Sequence, residues 1–240
     1  ADAGESDGGV GCALGAEASH TGDMASTSEL ARLHTTLARP AVDHLQRLVA
    51  SWGLLADLCF ADLLLYAPVT RSDVLGDAVT GRSLVVLGQV RPLTSQTLYR
   101  ADLVGSVFPA SERSEVFRSW EQGEIMDAER THPELRENVR TLCVPVRWQG
   151  DVIAVLTRES APWVGRQPGD LERAYVELFN RLVRMIAAGQ FPFVLDDRVF
   201  DEAPRVGDGV VVLDNTRRVE YSSPNAVSAL HRVGVHANTE

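Results

Sequence analysis

The residue types that carry chemistry are sparse in this chain, and none falls at a spacing that commits it to a reaction. All 23 basic residues are Arg. The absence of Lys removes a lysine nucleophile, a Schiff base and a P-loop lysine together. Gly9-Val10-Gly11 with Gly15 faintly matches a phosphate loop, but no strand precedes it. Cys12, Cys59 and Cys143 are odd in number, far apart and without a Cys-x-x-Cys pair, which fits a reducing cytosol better than a disulfide framework. His44 lies in a helical periodicity with no second His, Cys or carboxylate positioned with it, so it reads as a surface or boundary histidine, not a ligand. No catalytic residue and no metal site is assigned.

What remains is binding. The irregular stretch Pro92–Arg140, a long crossing between strands, is of the kind that often forms a ligand wall. Arg91, Tyr99, Asp102, Phe108 and Trp120 are its candidate pocket-lining residues, with structural packing as the ordinary alternative for each. Cys59 and Cys143, both near expected strand starts, are the candidates for a redox signal, although lone buried cysteines usually serve packing.

These residues have to be held by a sheet. In Thr141–Thr157 the runs Leu142–Trp148 and Val152–Leu156 flank Gln149-Gly150-Asp151, a hairpin signal. Leu142, Val144, Val146 and Trp148 alternate onto one face, followed by Val152, Ala154 and Leu156. The spacing predicts the central ribbon of an antiparallel sheet. Pro145 is the discordant residue, because it cannot donate to a ladder and prefers an edge or a bulge. Cys59–Tyr66 and Ser83–Val90 read as further strands around the polar loop Thr70–Arg82, and Leu63-Leu64-Leu65 suggests a strand covered on both faces. Ser111–Gly123 reads as a short helix ended by glycine.

Two longer helices frame this sheet. Ala41–Leu58 carries Val42, Leu45, Leu48, Val49, Trp52, Leu55 and Leu58 at threes and fours, with Pro40 suited to its first turn. A second helix, capped by Asp170, running through Ala188 and closed by Gly189, carries Leu171, Tyr175, Leu178, Leu182, Met185 and Ile186 in a near-heptad rhythm. Such a seam fits its own sheet or a partner helix, which makes a homodimer through the terminal helices an expectation. Beyond a linker at 190–204, Asp208–Asp214, Val219–Tyr221 and Ser222-Ser-Pro-Asn225-Ala read as a hairpin running into a helix, with Ser223 as cap and Pro224 at the first helical position. One hairpin and a helix cannot bury a core alone, so 205–240 is expected to open a longer, here truncated, domain.

Composition narrows the class. At 240 residues, 45% apolar and 23% charged, the chain is ordinary globular material for one or two domains. Of the net charge of −10, five acids without a base (Asp2, Glu5, Asp7, Glu17, Asp23) precede Met24 and leave −5 for the rest. There is no clustered positive charge for a nucleic-acid surface. The longest apolar region, Gly53–Val69, is broken by Asp57 and Asp62 and is no membrane span. The N-terminus lacks the basic start of a signal peptide. A cytoplasmic protein is expected, with an unstructured leader through residue 39 and Met24 as a candidate start. The fold class is α+β: an antiparallel sheet flanked by N- and C-terminal helices over 40–189.

This order of elements resembles a GAF domain, carried by Asp102-Leu-Val-Gly105, Val144-Pro145-Val146 and Gly150-Asp-Val-Ile-Ala-Val-Leu156. A Val-Pro-Val within a strand is common there. Asp208-Gly-Val-Val-Val-Leu-Asp214 with Tyr221-Ser-Ser-Pro-Asn225-Ala resembles the opening of a PAS domain. Pro40-Ala-Val-Asp-His-Leu45, Leu54-Leu-Ala-Asp57-Leu with Phe60-Ala-Asp62, and His231-Arg-Val-Gly234 are similar to the PdtaS family of soluble actinobacterial sensor histidine kinases, built as GAF, PAS and kinase core. The resemblance spans Pro40 to Gly234, nearly all of the expected folded chain.

It implies a parent enzyme that autophosphorylates a histidine from ATP with Mg²⁺ and passes the phosphoryl group to a response regulator, one with an RNA-binding output in that system. The phospho-acceptor and the ATP site are expected outside these residues. His44, His132, His231 and His236 match no acceptor motif, and Cys59 stands where the family suggests a small polar residue. The signal would be an unidentified small molecule or a redox event. The same modules also serve regulators of transcription or of cyclic-dinucleotide turnover, which stay open as alternatives. A stand-alone enzyme ranks last, for want of any placed dyad.

Overall fold

The computed structural model describes residues 26–71, 82–131, 138–162, 168–193 and 204–235. Helices α1 (Thr27–His34) and α2 (Arg39–Cys59) lead into strands β1 (Asp62–Pro68), β2 (Ser83–Val90) and β3 (Val107–Pro109). Helix α3 (Ser114–Gln122), strands β4 (Met126–Thr131), β5 (Asn138–Trp148) and β6 (Asp151–Ser160), and helix α4 (Asp170–Ala187) follow. The strands form one antiparallel sheet in the order β3-β2-β1-β6-β5-β4.

The expected hairpin is central to it. β5 and β6 pair from Arg140↔Ser160 to Trp148↔Asp151, closed by Gln149 and Gly150 at φ 53° and 97°. Positive φ at both turn residues matches the right-handed twist of the flanking strands. Pro145 sits where its missing N–H matters least: the β4 ladder ends at Met126↔Cys143, so the outer flank of β5 is unpaired there.

β1 lies between β2 and β6 and is buried along its whole length, as its unbroken apolar run predicts. Leu63 and Leu65 belong to the core beneath α1, α2 and α4, whereas Leu64 and Tyr66 belong to a second core beneath α3. A β-bulge between Leu65 and Tyr66 brings Gly88 opposite Leu65. A Cβ there would stand 2.5 Å from Trp52 Cη2, so glycine makes room for the indole of α2.

Four expectations are corrected. The unstructured leader was expected to reach residue 39, yet Thr27–His34 is helical, begun by a Ser26/Glu29 capping box and anchored by buried Leu30 and Ala31. The first strand starts at Asp62, because α2 continues through Cys59 and stops only at Phe60, left-handed at φ 54°. The stretch Pro92–Arg140 is less irregular than it reads, since it holds β3, β4 and the first residues of β5. His44 is buried, its ring 4.8 Å from that of Trp148. Residues 1–25 and most of the loop at 70–82 lie outside the described residues.

Helix α4 is rotated slightly from the expected seam. Tyr175, Phe179, Val183 and Ile186 face the core, Leu178 and Leu182 pack at its margin, and Leu171 is exposed. Beyond α4, a 3-10 turn (Val206–Asp208) precedes β7 (Val211–Leu213), β8 (Val219–Ser222) and α5 (Pro224–Arg232), the last with Ser223 as cap and Pro224 in its first turn, as predicted. Among the described residues, no helix is long and apolar enough to cross a membrane.

Candidate functional site

Strand alternation that places Leu63, Leu65, Ala154 and Leu156 under the helices turns a different set of side chains to the opposite face. Asp62, Glu159 and Thr141 are successive cross-strand partners on β1, β6 and β5. Leu64, Thr157, Cys143 and Met126 form the next row, and Tyr66 pairs with Val155 in the row beyond. Polar residues thus enter a surface that α3 and the segment 91–106 bury.

Glu159 is the focus. It is fully buried, and its Oε2 accepts from the Tyr99 hydroxyl and, at 3.2 Å, from Arg130 Nη2. Its Oε1 accepts from Thr157 Oγ1 at 3.1 Å. Arg130 also lies 3.3 Å from Glu115 of α3. Arg113, only 3% exposed, spreads its guanidinium 4.7 Å from the Phe108 ring centroid and 5.9 Å from that of Tyr66. Buried Arg113, Glu115 and Glu159 and half-buried Arg130 are thereby gathered together, an arrangement that costs desolvation and is held by mutual pairing. The pairing is incomplete: among the described residues, Arg113 Nε and Nη1, Tyr66 Oη and Thr141 Oγ1 are buried without a hydrogen-bond partner. Unpartnered buried donors mark a place built for water or a ligand.

The electrostatics favour holding over reacting. Burial, reinforced by Glu159, pushes the Tyr66 and Tyr99 hydroxyls above their ordinary range, so both stay protonated donors. Burial and then Glu115 and Glu159 push the Cys143 thiol up, and burial takes Cys59 up to about 12. A thiol is nucleophilic only as thiolate, so neither is activated. Burial also raises Asp62, against the bonds it accepts from Thr97 and Leu98. No group of three or more potential metal ligands occurs among the described residues.

The roof is fastened by side chains. Asp62 accepts from Thr97 Oγ1 and Leu98 N, both at 2.6 Å, and Gln89 Oε1 accepts from Leu103 N at 2.8 Å. Beside Glu159 a cleft of about 320 Å³ opens between this roof and the end of β6, lined by Phe60, Thr94, Ser95, Gln96, Leu98 and Ser160 among others. A larger cleft of about 590 Å³ lies between α1 and α2, around Arg32, Arg39 and Asp43. None of its lining residues is a buried unpartnered group.

The candidates from sequence fall unequally around this site. Tyr99 is in the cluster, Phe108 packs against Arg113, and Trp120 lies in the roof 5.5 Å from the Phe117 ring. Arg91 braces the roof from outside, donating to the carbonyls of Tyr99 and Ala101. Asp102 is exposed and accepts from Val104 N, turning the chain. Cys143 lies on this face, Cys59 on the other. Sequence reasoning missed Tyr66, Arg113, Glu115, Arg130, Thr141, Thr157 and Glu159. The legible signal was phase: Thr157 and Glu159 continue the period-2 register of Val155 on a strand already identified.

Known proteins place this architecture. Residues 27–179 match the family described as "Histidine kinase PdtaS, GAF domain". The sensor histidine kinase PdtaS of Mycolicibacterium smegmatis is 37% identical over 220 residues, covering 90% of this chain and 42% of that protein. PdtaS of Mycobacterium tuberculosis is also 37% identical, over 221 residues and with the same coverage. A solved structure described as the sensor region of a sensor histidine kinase superposes with a TM-score of 0.70 at 36% identity, over 90% of this chain and 71% of that one. The chain spans about two fifths of the length of the curated relatives it matches. A family match over most of the described fold and more than a third identity across nine tenths of the sequence lead to one conclusion: this chain belongs to the PdtaS family of sensor histidine kinases, and residues 27–179 are its GAF domain.

Proposed function

We propose that this chain is the sensory region of a cytoplasmic two-component histidine kinase, and that the cluster around Glu159 with its adjoining cleft receives a small-molecule signal. The observation that carries this reading is the set of unpartnered buried donors on Tyr66, Arg113 and Thr141, in a chain homologous to sensor kinases. Buried, unactivated thiols at Cys59 and Cys143 favour a ligand over a redox signal.

A ligand controls a kinase only by binding two conformations unequally. The elements after the sheet are the natural output: α4, then the region from residue 205 that opens a PAS domain. The partly exposed Leu171, Leu178 and Leu182 of α4 suit a homodimer through the terminal helices. In the whole protein, a kinase core with Mg²⁺ would transfer the γ-phosphoryl group of ATP to a histidine, releasing ADP, and then to an aspartate of a response regulator, one with an RNA-binding output. No direct role in nucleic-acid or membrane binding is assigned to this chain.

The test is phosphorylation of the full-length protein with radiolabelled ATP and Mg²⁺. Label that is stable in alkali and lost in acid, with a rate altered by Glu159→Gln, is the expected result. A full-length protein that takes no label, or whose rate ignores Glu159→Gln and Arg113→Met alike, overturns the reading.

A further inference from the structure

The roof of the cleft and the segment that follows α4 meet at one buried carboxylate. Asp57, in the last turns of α2, is 1% exposed. Its Oδ1 accepts from the backbone N–H of Leu93 at 2.8 Å and from Arg205 Nη1 at 3.2 Å. The two donors come from distant parts of the chain, one from the start of the roof and one from the residue before the 3-10 turn. Asp57 Oδ2 has no partner among the described residues, so within them the carboxylate is held by these two donors.

Both ends of this connection continue into functional structure. On the roof side, the Asp57 carbonyl accepts from Thr94 Oγ1 at 2.9 Å and the Phe60 carbonyl accepts from Ser95 Oγ at 2.7 Å. Phe60, Thr94 and Ser95 line the 320 Å³ cleft beside Glu159. On the output side, Arg205 also donates to the Gly53 carbonyl at 3.1 Å, and its own N–H donates to Asp208 Oδ2 at 2.8 Å. Asn225 of α5 donates to the Gly207 carbonyl at 3.1 Å, tying that turn to the next helix. Gly53 is part of the seat, since a Cβ there would stand 3.0 Å from Arg205 Nε.

We infer that Asp57 is a coupling residue: its carboxylate makes the order of the cleft roof and the hold on Arg205 depend on each other. The chemistry is cooperative. A guanidinium beside a buried carboxylate stabilises its charge, and an ionised oxygen accepts a stronger hydrogen bond from Leu93 N–H. Lifting the roof in turn exposes Asp57 to water, where its pair with Arg205 is worth far less. A molecule entering the cleft and displacing Thr94 and Ser95 would therefore reach the turn at 206–208 without touching it. That direction of signalling rests on the cleft being the sensory site; the coupling itself does not.

Hydrogen–deuterium exchange of the full-length protein tests the coupling with no ligand. In Arg205→Gln, the amides of Leu93 to Leu98 should exchange about fivefold faster or more, the low end of usual coupling between sites, with β1 and β6 unchanged. Arg205→Lys, which keeps the charge but loses the fork, should fall between. By reciprocity, Thr94→Val with Ser95→Ala should speed exchange over Val206–Val210. Acceleration confined to the neighbourhood of each substitution, or spread evenly through the sheet, overturns the inference. Ligand control of phosphorylation fails or survives separately, in the labelling of Glu159 and Arg113 variants.

Discussion

Along β1, Leu63 and Leu65 enter the layer formed by α1, α2 and α4, while Leu64 and Tyr66 enter the space beneath α3. Along β6 the same alternation separates Ala154 and Leu156 from Thr157 and Glu159. The strands are shared, yet one face is filled by interlocked aliphatic and aromatic side chains and the other holds charges, hydroxyls and donors without acceptors. Apolar burial supplies most folding free energy. Buried ion pairs contribute little net, because desolvation offsets their attraction. The difference teaches a division of labour: the helical face holds the domain together, and the opposite face bears the cost of a polar interior, which suits the proposed recognition of a signal.

Substitutions can break that contrast. Phe179→Ala, on the fully buried side of α4, should lose about 3–5 kcal/mol in urea denaturation; a loss below about 1 kcal/mol would deny the helical face its role. Glu159→Ala should cost about 3 kcal/mol because it removes the buried acceptor that Arg130 and Tyr99 share. Glu159→Gln, able to keep a bond to Thr157, should cost less. Equal and negligible effects would mean that water already screens the cluster. Gly88→Ala drives a methyl toward Trp52 and should cost about 1–3 kcal/mol, read as a lowered Tm.

Acidity sharpens the comparison. Burial, and then Arg47, hold His44 below its ordinary value of 6.5, with both ring nitrogens unpartnered. The unfolded chain takes up a proton near that value and the folded one only at lower pH. Stability from this group is therefore complete above about 6.5 and lost as pH falls toward the folded pKa. Denaturation midpoints should drop between pH 7 and 5, and His44→Phe should flatten that slope. The smallest effect is Tyr66→Phe: deleting an unpartnered hydroxyl should be neutral or stabilising within about 1 kcal/mol. A clear loss would show that the hydroxyl has a partner in solution.

Legibility followed the same divide. α2, α4, β2 and the β5–β6 hairpin could be read because their apolar residues repeat at the period of the element. α1 escaped because its strongest signal is a cap, Ser26 with Glu29, rather than a stripe. β4 escaped because its inward residues are Met126, Ala128 and Arg130, a sequence whose alternation carries no hydrophobic contrast. The cluster was largely hidden for a related reason. Arg113, Arg130 and Glu159 are residue types that ordinarily sit in water, and only tertiary packing, which no local pattern encodes, gathers them into one cluster. Tyr99, Phe108 and Trp120 were named because a long crossing was expected to form a wall, and the structure puts all three on this face of the sheet.

Pro145 lies where β5 has outrun β4, on a margin of the sheet that is buried but pairs with no further strand among the described residues. A margin of that kind, once uncovered, can recruit a strand from another molecule and grow without limit. A residue with no amide hydrogen interrupts such a template. Were this margin laid open, that single ring would deny a second copy the unbroken ladder that open-ended stacking needs.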